Sequence, residues 1–437
     1  MIAIPYGSVQ PWWTAVFECV VFGLGLAAVV DLWITRERLP INAGVGLPLV
    51  ILVLFLWVQS LPLFAFPSAV IPDLRESISA DPFTTQQLAI KLLALVIAGV
   101  LVLRYTNTDS RVRSIAYVVI GIAMASAVLG LLRHGSGGPE WFFPLPKDNR
   151  GFAQFVNRNH FGYLVEMALG LAAGLAIRGG RGYQRWLLVV ISAFLWFSLI
   201  VANSRGAIFA SLCQLLFLVI VVDPFHVTFR SGVSRSGRSV VKAFAVQGVL
   251  IVALISAFAY GVRWVGGEAV VTNLEYTASG FSEQGGHERR ENVSRRDIWG
   301  ATWNLIKAHP VVGSGFGAYW IAITRYHDAS GNSTPQEAHN DYLEFLAGGG
   351  LIGVALCVWF ALRFGSQAIK VLRRRSNWIS GAALGAVVGL FGVMVHNAVD
   401  FGLHITANAV IFTALITIVI AAPNMDDSST MMAVAES

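Results

Sequence analysis

Eleven runs of mostly apolar residues dominate the sequence. They lie near 12–34, 44–65, 87–104, 113–132, 159–178, 185–202, 206–223, 241–263, 346–364, 378–398 and 403–421. A helix needs about 20 such residues to cross a bilayer. Within hydrocarbon every backbone polar group must be satisfied by the protein, which leaves helices and closed barrels. The runs are continuous rather than alternating, so a barrel is excluded. The sequence predicts an all-α polytopic membrane protein of eleven to twelve transmembrane helices. Its charge agrees: 13% of the residues are charged and 55% hydrophobic, against about 25% charged in an ordinary soluble domain. So few charges cannot cover the surface of a soluble chain this long.

The runs divide the chain. Spans one to eight fill 1–263, a long loop occupies 264–345, spans nine to eleven fill 346–421, and 422–437 form a polar tail expected to be disordered. No Lys or Arg precedes Arg36, so the first run lacks the basic region of a secretory signal and reads as a retained helix. Cys19, Cys213 and Cys357 all sit in apolar runs. They read as small buried hydrophobes, without redox or metal spacing.

Basic residues set the orientation. Arg36 and Arg38; Arg104, Arg111 and Arg113; Arg178, Arg181 and Arg185; Arg230, Arg235, Arg238 and Lys242; and Arg363, Lys370, Arg373, Arg374 and Arg375 occupy five alternating loops. Lys and Arg in short loops mark the cytoplasmic side. The net charge of +6 therefore orients the chain and does not point to nucleic acid. The segments 133–158 and 264–345 then face outward. A loop as long as the second is uncommon without a function. Within it, Arg296 to Ala308 reads as an amphipathic helix with Ile298, Trp303, Leu305 and Ile306 as its apolar residues.

The outward side also carries arginines that orientation does not explain. Arg289, Arg290, Arg295 and Arg296 cluster ahead of that helix, Arg205 lies in Asn203-Ser-Arg-Gly206, and Arg158 lies in Val156-Asn-Arg-Asn-His160. Arginine's planar fork suits phosphate oxygens and stays charged in a partly apolar site. Against this, Glu288, Glu291 and Asp297 could pair with the cluster along a helix. A second candidate is Glu337-Ala-His-Asn-Asp-Tyr-Leu-Glu344. His339 there could deprotonate a hydroxyl, oriented by Asn340, Tyr342 or Glu344; the plainer reading is a histidine capping a helix. Gly348, Gly349, Gly350 and Gly353 read as small residues for close helix approach. Gly313-Ser-Gly-Phe-Gly317 lacks a preceding strand and a following Lys-Ser/Thr, so it reads as a tight turn rather than a nucleotide loop. His396 and Asp400, one helical turn apart, read as a structural pair, a cavity lining or a proton relay, with Asn397 and His404 nearby. No His, Asp and Glu set has a ligand spacing, so no metal and no cofactor is expected.

Taken in order, Asn203-Ser-Arg-Gly206, Arg296-Asp-Ile-Trp299, His309-Pro-Val-Val-Gly-Ser-Gly-Phe-Gly317, His339-Asn-Asp-Tyr-Leu343 and Gly350-Leu-Ile-Gly353 resemble the O-antigen ligase and polymerase superfamily of bacterial inner membranes, the WaaL and Wzy proteins. Phe155-Val-Asn-Arg-Asn-His-Phe161 and His396-Asn-Ala-Val-Asp-Phe401 look like a subset of it linked to exopolysaccharide loci. The resemblance covers about residues 150 to 421. It implies a GT-C-like membrane glycosyltransferase without a metal. Such an enzyme moves a glycan from undecaprenyl diphosphate to an acceptor hydroxyl, most simply on lipid A-core, on the periplasmic face. It implies that Arg205 and Arg296, with Arg289, Arg290 and Arg295 as further choices, bind the diphosphate. It implies that His339 acts on the hydroxyl. Arg158, Glu337, Asn340, Tyr342, His396 and Asp400 are expected to support the site. The partners expected are the lipid-linked donor, the glycan acceptor and the bilayer.

Two other readings share these residues. A Wzy-type polymerase would use a second lipid-linked unit as acceptor. A transporter or flippase would place polar residues at mid-membrane, where Glu18, Lys91 and Glu166 are candidates, and would show paired halves. The sequence has no internal repeat, and its charges gather at the outer boundary.

Overall fold

A computed structural model describes residues 10–37, 43–65, 75–136, 151–222, 237–266, 295–327, 335–373 and 377–435. Arg289, Arg290 and the basic residues 230 and 235 lie outside these segments. The helices are α1 (Pro11–Thr35), α2 (Ala43–Ser60), α3 (Pro82–Tyr105), α4 (Asp109–Ser136), α5 (Arg158–Gly174), α6 (Tyr183–Ala202), α7 (Arg205–Val222), α8 (Gly237–Gly266), α9 (Arg295–Ala308), α10 (Asp341–Leu372), α11 (Trp378–His396) and α12 (Thr406–Ala435). The other regular elements among the described residues are a pair of two-residue strands, Phe64–Ala65 and Arg75–Glu76, a short helical turn at Tyr319–Ala322, a π turn at Leu175–Gly179 and 3-10 turns at Ile323–Arg325 and Gly402–His404. Nine of these helices are long and apolar enough to cross a membrane, and Gly44–Ser60 and Gly248–Gly261 are shorter apolar helices. Together they fall on the eleven apolar runs. The protein is an all-α multi-pass membrane protein.

Several helix ends lie a few residues from the expected ones, and two of the differences bear on the site and the tail. The ninth span begins at Asp341 rather than 346, because Asn340 caps it by accepting from the backbone N–H groups of Tyr342 and Leu343, both at 3.1 Å. The expected disordered tail is instead helical, since α12 runs through Pro423 to Ala435. Met431 to Ala435 are residues compatible with helix, so polarity alone does not end it.

The core is α5 against α11, the most deeply buried of the membrane-length helices. Gly170 and Gly174 on α5 lie against Gly389 and Gly385 on α11, so closely that an added Cβ would run into the facing backbone. Small residues at every fourth position let two helices approach at backbone distance where lipid supplies no hydrophobic drive. Tyr163, Phe161, Phe155, Met167 and Leu171 fill the space around this seam and are buried completely or nearly so. The capping box of Asn377 and Ser380 starts α11. Asn157 starts α5 by accepting from Asn159 N at 2.9 Å.

α10 is broken in its first third. Gly350 has φ 57° and ψ −158°, a conformation open to glycine and strained for other residues. The break frees backbone groups, and the 310–315 loop satisfies them. Leu351 N donates to Pro310 O (2.9 Å) and Ile352 N to Val311 O (3.1 Å). In return Ser314 N donates to Ala347 O (2.9 Å) and Gly315 N to Gly348 O (3.1 Å). Gln59 on α2 closes the seam, donating to Val312 O (2.7 Å) and Gly348 O (2.9 Å). The glycines at 348–350 therefore admit a loop and the Phe316 ring rather than another helix. The 313–317 loop is a turn, as expected, and its amides are spent inside the protein.

Basic-loop residues among the described ones gather at one end of the bundle. Arg104 pairs with Asp31 (2.6 Å) and Glu37 (3.2 Å), Arg178 donates to Leu372 O (3.1 Å), and Arg113 lies 4.9 Å over the Trp378 ring. The helix ends carrying Arg158, Arg205, His339 and Asp400 lie at the other.

Candidate functional site

His339 sits at a backbone kink held from both sides. Trp299 Nε1 on α9 donates to Ala338 O (3.0 Å), and Ala338 N donates to Glu344 Oε2 (2.9 Å). On the far side, Asp341 N donates to Asn397 O (2.9 Å). Between these ties His339 adopts φ 48°, a left-handed conformation uncommon for a residue with a Cβ and often found where function demands it. Its side chain is largely buried, and its ring meets the edge of Phe401 at 5.0 Å.

The group facing the ring is Asp400. Its Oδ1 lies 3.7 Å from His339 Nδ1. That is ion-pair range and longer than a closed hydrogen bond. Oδ1 also accepts from Phe401 N (3.0 Å), and Oδ2 accepts from Asn159 Nδ2. Asp400 is 1% exposed. Burial opposes its charge, but the His339 hydrogen-bonding group and the positive potentials of His339, His160 and Arg295 hold the carboxyl far below the usual carboxylate range. Asn159 extends the network, accepting from Ser204 Oγ at 2.7 Å. Ser204 is the residue before Arg205, and its Oγ accepts from Ala207 N (3.3 Å) in the first turn of α7.

Two expected pairings change. Asn340 caps α10, Tyr342 donates to Met394 O (2.6 Å), and Glu344 holds Ala338 N, so none of the three orients the His339 ring. His396 and Asp400 do not pair through their side chains, although Asp400 N donates to His396 O (3.1 Å) just past the end of α11. His396 Nδ1 instead meets Glu166 Oε1 at 2.8 Å, both side chains fully buried, and its ring stacks on Tyr163 at 4.2 Å. Its Nε2 edge lies against Gly206, where an added Cβ would collide with it. The pair thus packs under the turn that bears Arg205. Glu166, a candidate for a mid-membrane transport residue, is occupied by this contact.

A second cluster adjoins His339. His404 Nδ1 lies 3.3 Å from Glu337 Oε2, and its Nε2 lies 3.4 Å from Asp341 Oδ1 and 3.8 Å from Glu344 Oε1. Lys91 Nζ donates to His404 O (2.6 Å). Burial would lower the His404 pKa, but the charges of Glu337, Glu344 and Asp341 and the hydrogen bond to Glu337 raise it to about 10. Glu337 moves the opposite way: burial disfavours its charge, and His404 draws it below the usual range. Glu337, Glu344 and His404 bring ligand-type atoms within 4.8 Å of one another, a grouping that sequence spacing could not show because 404 is remote from 337–344. A protonated His404 already supplies positive charge at its centre, so a cation would compete with that proton.

The arginines fall at helix starts. Arg158 is the first residue of α5, Arg205 of α7 and Arg295 of α9. Arg158, Arg205 and Arg296 are exposed, whereas Arg295 is 9% exposed and acts electrostatically on Asp400. Helix N-termini add partial positive charge and free N–H groups, which favour anions. Sequence reasoning missed Asn159, Ser204 and Glu166 as members of the site. Asn159 lay inside a quoted motif, but nothing in its spacing joins it to Asp400.

No curated protein matches the chain. Residues 187–358 match the family model described as O-antigen ligase. That stretch runs from α6 into α10 and carries Arg205, Arg295, Arg296 and His339; over it, the resemblance to the O-antigen ligase and polymerase superfamily is borne out.

Proposed function

We propose that this protein transfers a glycan from undecaprenyl diphosphate to an acceptor sugar hydroxyl at the periplasmic face of a bacterial inner membrane, as a GT-C-like ligase with lipid A-core as acceptor. The observation that carries this reading is His339, strained and backed by a buried, ionised Asp400, at the helix ends that also bear Arg158, Arg205 and Arg295.

The geometry suits an inverting displacement. With Nδ1–H turned toward Asp400, the His339 Nε2 lone pair accepts the proton of the acceptor hydroxyl as its oxygen attacks the anomeric carbon. The new glycosidic C–O bond forms as the bond to the diphosphate oxygen breaks, and undecaprenyl diphosphate leaves with the electron pair. Negative charge grows on the leaving group. Arg205, Arg295 and Arg296, with Arg289 and Arg290 as further candidates, offset it without a metal. Asp400 stabilises the imidazolium that forms.

The test is consumption of an undecaprenyl-diphosphate-linked oligosaccharide by the purified protein. His339→Ala and Arg205→Ala are expected to remain folded and leave the donor unconsumed. Wild-type turnover in either would overturn the assignment. Product analysis separates the nearest alternative: glycan on lipid A-core marks a ligase, and chains lengthening on undecaprenyl diphosphate mark a polymerase.

A further inference from the structure

We propose that Asn159 is a positioning residue, whose amide locks Asp400 against His339 and ties that pair to the turn bearing Arg205. The proposal rests on the glycosyl-transfer reading and deepens it.

An amide has a direction, and both ends are used here. The Asp400 carboxylate only accepts, so the Asn159 end that meets its Oδ2 is Nδ2, and Oδ1 is left to accept the Ser204 hydroxyl (2.7 Å). That leaves Asp400 Oδ1 for Phe401 N and the His339 ring. Asn159 is placed by the first turn of α5, where its own N–H is held by the Asn157 side chain (2.9 Å). One side chain thus joins three segments that are remote in sequence: the start of α5, the 203–205 turn and the 397–405 segment. A glutamine would overreach. An aspartate fits the space but brings a second carboxylate against the first.

That misfit supplies the test. The groups facing Asp400 are His339, Asp341, His160, Tyr163, Glu166 and Arg295. In Asn159→Asp, the two carboxylates cannot both be ionised at contact distance without cost. At neutral pH Asp400 is repelled from its seat. At lower pH a shared proton restores an O–H donor where the amide stood. Because pH acts on the wild type as well, the informative quantity is the ratio of variant to wild type at each pH.

Turnover is measured with the full-length protein in detergent, using undecaprenyl-diphosphate-linked oligosaccharide extracted from the producing bacterium. Asn159→Asp is expected to lower kcat at least about tenfold at neutral pH, with donor KM little changed. The ratio to wild type should climb as pH falls. Ser204→Ala, which frees the far end of the amide and also removes the acceptor for Ala207 N, leaves the Asn159–Asp400 contact uncharged and is expected to lower kcat less, with a ratio independent of pH. A ratio for Asn159→Asp that stays flat across pH, or an unchanged kcat, overturns the proposal. If Asn159→Asp does not fold, Ser204→Ala decides: a kcat loss at constant KM supports it and full activity refutes it. His339→Ala run in parallel separates the two levels. A fully active His339→Ala removes the glycosyl-transfer reading itself, whereas an inactive His339→Ala beside a flat Asn159→Asp ratio removes only the role of Asn159.

Discussion

Asp400 Oδ1 stands 3.7 Å from His339 Nδ1, and the two residues come from different connections, one leading into α10 and the other linking α11 to α12. The aspartate is buried and ionised, and the histidine is more open to the outside. On the glycosyl-transfer reading that asymmetry divides the roles: the carboxylate fixes tautomer and ring orientation, and the ring's other nitrogen is left for substrate.

Asp400→Asn tests this division directly. The amide keeps the shape but removes the charge that favours Nδ1–H and stabilises an imidazolium. On the glycosyl-transfer reading, kcat is expected to fall by about 10² to 10⁴ while donor binding, measured as KM, changes little. Circular dichroism and gel filtration should match wild type. An activity within about twofold of wild type would show that His339 works without its partner.

The spans were legible because the bilayer demands one pattern, an apolar run of helical length, and all eleven runs became helices. The motifs bearing His339 and Arg205 stood out because each is compact and lies at a span's end. Their partners did not. The i to i+4 rule offered Asp400 to His396, and Asp400 N does donate to His396 O (3.1 Å), but local spacing does not show which side chains of other segments stand nearer. Asp400 then swings to Asn159 and His339, and His396 takes Glu166 from α5. Such pairings follow from the α5–α11 glycine seam, and no local spacing encodes them. The same holds for Arg295: sequence placed it beside Arg296, and only the seat of α9 turns one inward and the other out.

His404 predicts a loss of stability in alkali. Its folded pKa is raised to about 10, above the unperturbed value of about 6.5. The sign follows from linkage: a raised folded pKa contributes stability that is complete below the unfolded value and disappears as pH rises through the folded one. Tm in detergent should therefore decline between roughly pH 6.5 and 10. His404→Gln is expected to lower Tm at neutral pH, since Glu337, Asp341 and Glu344 lose their shared cation, and to flatten the alkaline decline. A parallel decline in wild type and variant would assign it to other groups.

Gly174→Val tests the α5–α11 seam. A Cβ at Gly174 meets Gly385 N and Cα and Gly381 O. These are backbone atoms of a buried helix and cannot step aside as a flexible side chain would. The expected cost is at least about 1–3 kcal/mol, read as a lower Tm or loss of the monodisperse species. Gly121→Val, where an added Cβ meets nothing within 4 Å, is the matched control and should leave Tm nearly unchanged.

The two adjacent arginines of α9 are expected to fail differently. Arg296 is exposed on the first turn, placed to meet a ligand from outside, and Arg295 is buried and acts on Asp400. A charge-assisted hydrogen bond contributes about 1.5–3 kcal/mol, so Arg296→Ala should raise donor KM about tenfold or more with a smaller change in kcat. Arg205→Ala should combine both losses, because Arg205 opens α7 beside Ser204 and its helix N-terminus adds to the attraction for diphosphate. Arg295→Ala should spare KM and lower kcat, since one of the charges holding Asp400 ionised is removed and its carboxyl rises toward the ordinary range. Steady-state kinetics on the three variants checks the order. If Arg295→Ala raises KM as Arg296→Ala does, Arg295 binds the donor directly and its burial is relieved when the donor arrives.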